Sequence, residues 1–245
     1  MKDNFSAQAC LYARFRPAYP PELIAHIASL APSHASAWDC GTGNGQVAIQ
    51  LAEHFEQVYA TDISEKQLGQ APQYPRIRYA LEPAEQCSAP DRAFDLIVVA
   101  QAIHWFNFDL FYAQVRRVLK PGGILAVVGY SLFRTNAPAV DDIIHQRFYR
   151  EITGPYWDPE RRYLDEGYRT IPFPFDEIQM PEYSMRYRWT LPDVLGYLNT
   201  WSAVQHYIRA NGHNPVKLIE TELRQAWGGV GEREIVCPLL LRVGR

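Results

Sequence analysis

Asp39-Cys40-Gly41-Thr42-Gly43-Asn44-Gly45 sets three glycines at alternate positions behind an acid, and Asp62 follows 17 residues after Gly45. Glycines in such a turn let the backbone pass close to a bound nucleotide, where a Cβ would strike the ligand or force φ out of range. An acid closing the next strand can accept hydrogen bonds from both ribose hydroxyls. A glycine-rich turn alone is as often an ordinary loop. Joined to a strand-final acid it predicts ligand binding. The dinucleotide fingerprint G-x-G-x-x-G needs glycine at position 46, where Gln46 stands, so a pyrophosphate ligand and nicotinamide chemistry are disfavoured.

His104 and Trp105 follow the apolar run Phe94–Ala100. They line a cavity where a group is passed, with His104 able to take a proton, or they are a surface histidine beside a core tryptophan. Cys10, Cys40, Cys87 and Cys237 form no C-x-x-C pair and lie near no histidine at ligand spacing, so free buried thiols and no metal are expected. Residues 130–190 hold 13 aromatics and eight arginines but no lysine. Arginine suits planar carboxylates. The same span carries ten acids, so local pairing explains most of these arginines and none stands out as a clamp.

The elements must place these residues. A chain of 245 residues with 47% hydrophobic residues and 32 aromatics buries a real core and is not disordered. A net charge of −3 without a Lys/Arg-rich run argues against duplex nucleic acid as the main partner. No apolar run approaches the ~18 residues of a spanning helix, and the start is polar, so no membrane association and a cytoplasmic location are expected.

Leu23, Ile24, Ile27 and Leu30 recur at helical spacing after Pro20-Pro21. Ser36–Cys40, the glycine turn and a helix from about Gln46 to His54 make a strand-turn-helix unit. Val58–Ile63, Arg76–Ala80, Phe94–Ala100 and Ile124–Gly129 supply four more strands. A helix over Phe111–Leu119 is stopped by Lys120-Pro121-Gly122-Gly123. Further on, a sixth strand is expected over Tyr183–Thr190, helices over Pro192–Arg209 and Pro215–Trp227, and a last strand over Glu234–Val243, where Pro238 suits an edge or a bulge. The alternation implies an α/β fold: a Rossmann-like, doubly wound, seven-stranded, mostly parallel sheet with helices on both faces and a helical lid insertion.

The run from Asp39 to Gly45, then Asp62, then Lys120-Pro121-Gly122-Gly123 resembles the class I S-adenosylmethionine-dependent methyltransferases of the type 11 kind over residues 10–130. Tyr12 with Arg16-Pro17-Ala18-Tyr19-Pro20, and Gln101-Ala102-Ile103-His104-Trp105-Phe106, are similar to the small-molecule branch that includes trans-aconitate methyltransferases. The resemblance implies S-adenosylmethionine as cofactor. It implies that Asp39 holds the methionine amino group, that Gly41, Thr42, Gly43 and Gly45 pack on the cofactor, and that Asp62 with Ile63 meets the ribose. Ala84 and Glu85 would meet adenine, although Pro83 stands where many relatives carry aspartate. Gln101 sits at the carboxyl edge of the sheet, and Tyr12 and Arg16 either close over the cofactor or pin an N-terminal helix.

The activity so implied is methyl transfer to a small organic molecule, with O-methylation of a carboxylate as the first reading. Alternatives are a hydroxyl or amine acceptor with His104 as base, or a non-catalytic cofactor binder. Residues 1–245 are expected to form one methyltransferase domain, monomeric or homodimeric, with 132–180 as the lid over the acceptor. His104 and Trp105 are the expected acceptor-binding pair.

Overall fold

The computed structural model describes residues 18–245; Cys10, Tyr12 and Arg16 lie outside the described residues. Helix α1 (Pro21–Ser29) opens the described fold with proline in its first turn, where the missing N–H is harmless. Then β1 (Ser36–Cys40), α2 (Gln46–Ala52), β2 (Gln57–Asp62), the short α3 (Glu65–Leu68) and β3 (Ile77–Leu81) follow. Next come β4 (Phe94–Ala100), α4 (Phe108–Val118) and β5 (Leu119–Tyr130). Ser64 caps α3 by accepting from the Gln67 N–H, and Asn107 caps α4 by accepting from Leu110. β5 begins five residues earlier than the apolar run suggests, because Phe94 pairs with Leu119 before a register shift takes up the Lys120–Gly123 turn.

The strands lie in the order β3-β2-β1-β4-β5-β8-β6, with β7 on β8. β1 to β5 are parallel, and β8 (Arg233–Gly244) runs antiparallel to β5. The sheet has eight strands rather than seven. The additional one, β6 (Arg134–Thr135), has two residues and carries no alternation to detect. β7 (Ser184–Trp189) is the expected sixth strand. Pro238 is not at an edge, since β8 is flanked by β5 and β6 on one side and β7 on the other, but the β5–β6 side gains one residue between the Tyr130–Leu239 and Arg134–Val236 pairs, a bulge beside Pro238. Its carbonyl accepts from Ser131, so its nitrogen points the same way, into the gap between β5 and β6 where no ladder bond is required.

The helix expected over Pro192–Arg209 is two, α7 (Leu191–Asn199) and α8 (Ser202–Asn211). Thr200 turns its hydroxyl back onto the Tyr197 carbonyl, and Trp201 is extended. Thr190 and Asp193 form a capping box at the start of α7, and α9 (Lys217–Trp227) ends at the left-handed Gly228. Between β6 and β7 lie α5 (Pro138–Asp142), a wide helix over Ile143–Ile152, and α6 (Arg162–Asp165). In the wide helix the Thr153 N–H reaches back five residues to the Phe148 carbonyl.

Side chains alternate between two packed faces, as a strand period of two demands. Ala37, Leu96, Val98, Ile124 and Ala126 pack with α1, α2 and α9. Trp38, Cys40, Ile97, Val99, Leu125 and Val127 pack with α4 on the other side. At the amino ends of the strands Asp95, 1% exposed, gathers the Lys120 ammonium (2.8 Å), the Ser33 hydroxyl (2.8 Å) and the Ser36 N–H (2.9 Å). Burial pushes this carboxyl up, but those hydrogen bonds outweigh it and hold its pKa below the usual carboxylate range. Asp95→Ala leaves a half-buried ammonium and two donors without their acceptor. It is expected to cost about 3 kcal/mol in urea unfolding, with Lys120→Met costing less because Lys120 is the more exposed partner.

Candidate active site

β1 and β4 are neighbours, yet the chain leaves their carboxyl ends toward opposite faces of the sheet. A crevice opens at such a switch point. Asp39, Gly41, Thr42, Gly43, Asn44, Gln46, Val47, Ala100 and Gln101 line it, closed by Tyr19 and Tyr130. The turn is rigid. Gly41 and Thr42 donate to the Thr61 carbonyl, and the Gly43 N–H donates to Asp62 Oδ2 at 2.8 Å. Asp62 Oδ1 accepts from Ser64 N–H at 2.8 Å, so this carboxylate ties the glycine turn to the end of β2.

A Cβ on Gly41 would come 2.7 Å from that of Ala102, so protein packing already excludes one there. At Gly43, with φ +57°, a Cβ would meet nothing within 4 Å. The open space beside Gly43 is crevice, which leaves the backbone bare toward whatever lies in it.

Asp39 is fully buried and Thr42 donates to its Oδ2 at 2.6 Å. Its Oδ1 has no hydrogen-bond partner among the described residues. Burial lifts its pKa to about 7, against the smaller downward pull of the Thr42 hydroxyl. A carboxylate so placed suits a cationic donor.

Gln101 holds the left-handed backbone that most side chains avoid, at φ +55°. Its N–H donates to the Val128 carbonyl (2.8 Å) and its Oε1 accepts from the Tyr130 N–H (2.9 Å), so the side chain continues the β4–β5 ladder. Beyond it lies a second cavity, lined by Gln101, His104, Trp105, Trp157, Arg161 and Trp201 among others. His104 is 5% exposed, which removes the surface-histidine alternative. Its Nδ1 lies 3.3 Å from the Tyr168 hydroxyl and its ring 4.9 Å from that of Trp105.

Asp39, Gly41, Thr42, Gly43 and Gln101 therefore come together, and Gln101, His104 and Trp105 share the second cavity. Gly45 opens α2 beside them, and Asp62 adjoins through Gly43. Ile63, Ala84 and Glu85 follow β2 and β3 without lining either space; Glu85 accepts from the Asn107 N–H. Tyr130 lies one residue past the strand expected over Ile124–Gly129 and was not singled out. Trp157, Asp158, Arg161, Tyr197 and Trp201 carry no motif and were missed. Cys40, Cys87 and Cys237 are buried free thiols whose pKa values burial pushes up, which keeps them protonated. No described group of three or more His, Cys, Asp or Glu is arranged for a metal, and no described helix is long and apolar enough to cross a membrane.

Residues 38–127 match the model of the methyltransferase domain family. A candidate methyltransferase of Dictyostelium discoideum is 32% identical over 92% of this chain and 86% of its own length. An uncharacterised methyltransferase of Mycobacterium tuberculosis is 31% identical over 73% of this chain and 68% of its own. The solved structure of a candidate type II methyltransferase from Anaeromyxobacter dehalogenans is 42% identical and superposes with a TM-score of 0.86, covering 94% of this chain and 98% of that one. The chain belongs to the class I S-adenosylmethionine-dependent methyltransferases, and its cofactor is S-adenosylmethionine. The crevice fits that molecule on its own terms: Asp39 Oδ1 has no hydrogen-bond partner among the described residues and Gly43 leaves room for a ligand.

Asp39 binds a proton more tightly folded than unfolded, so its contribution to stability falls as pH rises from about 4 through about 7. Asp39→Asn is expected to unfold at higher urea than the parent at pH 8, by roughly 2–4 kcal/mol, with the gap narrowing toward pH 5.

Proposed function

We propose that this methyltransferase moves the methyl of S-adenosylmethionine to a carboxylate oxygen of a small molecule held in the aromatic cavity. The observation that carries the reading is the sharing of Gln101 by that cavity and the crevice under Asp39, which fits acceptor and cofactor on two sides of one fixed side chain. When bound, S-adenosylmethionine supplies a methyl already activated by its sulfonium. The chain's own task is to align the acceptor and exclude water.

In this reading Asp39 takes the cofactor's ammonium, Asp62 with Ile63 its ribose, and Ala84 with Glu85 its adenine. Gly41, Thr42, Gly43 and Gly45 form the wall, and Tyr12 and Arg16 join at the cofactor's carboxylate. His104 and Trp105 hold the acceptor from the β4 side, and residues 132–180 are the lid within one domain. A carboxylate is ionised at neutral pH and requires no base. Arg161 on the lining supports an anionic acceptor. The second reading, a hydroxyl or amine acceptor with His104 as base, is favoured by the burial of His104 on the same lining.

Incubation with labelled cofactor and a panel of small acids, read by mass spectrometry, is expected to yield methyl esters that alkali hydrolyses. Methyl ethers or methylamines would establish the second reading instead. His104→Gln is expected to keep activity within roughly tenfold, with no pH limb near the ordinary histidine value of about 6.5. A hundredfold loss with cofactor binding intact would overturn the carboxylate reading. Asp62→Ala is expected to weaken cofactor binding by about 1.5–3 kcal/mol in calorimetry, as loss of charge-assisted hydrogen bonds requires.

A further inference from the structure

Seven of the eight arginines between 130 and 190 are accounted for by surface chemistry or have no role in either cavity. Arg147 pairs with Glu222, Arg186 with Glu234 and Arg188 with Glu232. Arg161 differs. It stands between Pro159 and α6 and lines the cavity beyond Gln101. Its guanidinium lies over the Trp157 ring at 4.7 Å and the Tyr149 ring at 5.3 Å.

The Nε–H of that guanidinium is taken. Arg161 Nε donates to the Tyr149 hydroxyl at 2.9 Å and lies 3.4 Å from Asp165 Oδ1. The Tyr149 hydroxyl in turn donates to the same Asp165 oxygen at 2.6 Å. Nη1 and Nη2 make no hydrogen bond among the described residues. The side chain is only 17% exposed. An arginine locked by its Nε edge and stacked on an indole has lost most of its rotamer freedom. Its remaining donors form a planar fork matched to two oxygens of one anion.

We infer that Arg161 is the anion subsite of the acceptor cavity, aimed by the Tyr149–Asp165 pair, and that it takes the carboxylate of a planar, largely apolar acid. The apolar body follows from the rest of the lining, where Trp105, Trp157, Tyr197 and Trp201 offer ring faces and edges. Asp158 is the carboxylate on that lining, and its Oδ2 lies 3.8 Å from His206 Nδ1. Tyr149 and Asp165 are positioning residues, since they act on the ligand through Arg161. The inference rests on the carboxylate reading of the cavity but is tested apart from turnover.

Benzoate and cinnamate, each paired with its amide, are titrated calorimetrically into the protein saturated with S-adenosylhomocysteine. Each acid is expected to bind at least tenfold tighter than its amide. Arg161→Leu should erase that preference, and Arg161→Lys, which keeps the charge and loses the fork, should not restore it. Tyr149→Phe, which keeps the ring, should reduce the preference about threefold to tenfold while leaving amide binding and cofactor affinity unchanged. Acids binding no better than amides, or an acid preference that survives Arg161→Leu, would overturn the subsite. Product analysis reads the carboxylate reading separately: acids that bind through Arg161 while only hydroxyls or amines are methylated would sink that reading and leave the subsite standing.

Discussion

The parallel pairing of β1 with β4 is the constraint on which the site depends. Their following segments must cover opposite faces of the sheet, so the two strand ends part and leave a crevice that no side chain is obliged to fill. The glycine turn after β1 and Gln101 after β4 are its two lips. Asp62 at the end of the neighbouring β2 reaches across to the Gly43 N–H and holds one lip in place. Gln101 secures the other by pairing with the backbone of Tyr130. The strain of its left-handed backbone persists because those bonds over-determine it.

Two buried carboxylates at opposite ends of the strands show how differently the fold treats charge. Asp95 at the amino edge is surrounded by donors, and its ionised form is the favoured one. At the carboxyl edge burial of Asp39 outweighs the pull of the Thr42 hydroxyl and the Ala48 N–H and holds its pKa near neutrality. The first is a structural anchor between β1, β4 and β5. The second carries an unfavourable ionisation in the free protein that a cationic ligand can relieve, which is the pattern expected where binding rather than stability sets the residue.

The second cavity is assembled from distant parts. Trp157 and Arg161 come from the segment between β6 and β7, Tyr197 and Trp201 from α7 and the turn after it, and His104 from the turn after β4. Tyr168 reaches His104 from the segment between β6 and β7, itself in a left-handed backbone and packed where a Cβ on Gly129 would fall 2.5 Å from its ring. Aromatic contact among Tyr149, Trp157 and Trp201 gives this region a core of its own. The aromatic enrichment is therefore both core and cavity wall.

The sequence by itself determined the cofactor half. Alternating strands and helices, an acid and three glycines at fixed spacing, and Asp62 at the end of the next strand are local patterns, and their geometry follows from backbone sterics within one or two βα units. It also set most strand positions, since apolar runs bounded by glycine and proline carry their own period. Only the tertiary structure decided the rest. β6 is two residues defined by its partner β8, and Pro238 is tolerated because β5 and β6 leave a gap opposite it. The break at Thr200 comes from one hydroxyl turned back on a carbonyl. Arg161 was one of eight arginines between residues 130 and 190. It becomes distinct when Tyr149, Trp157 and Asp165 converge on it, and such convergence is long-range packing with no spacing rule to announce it.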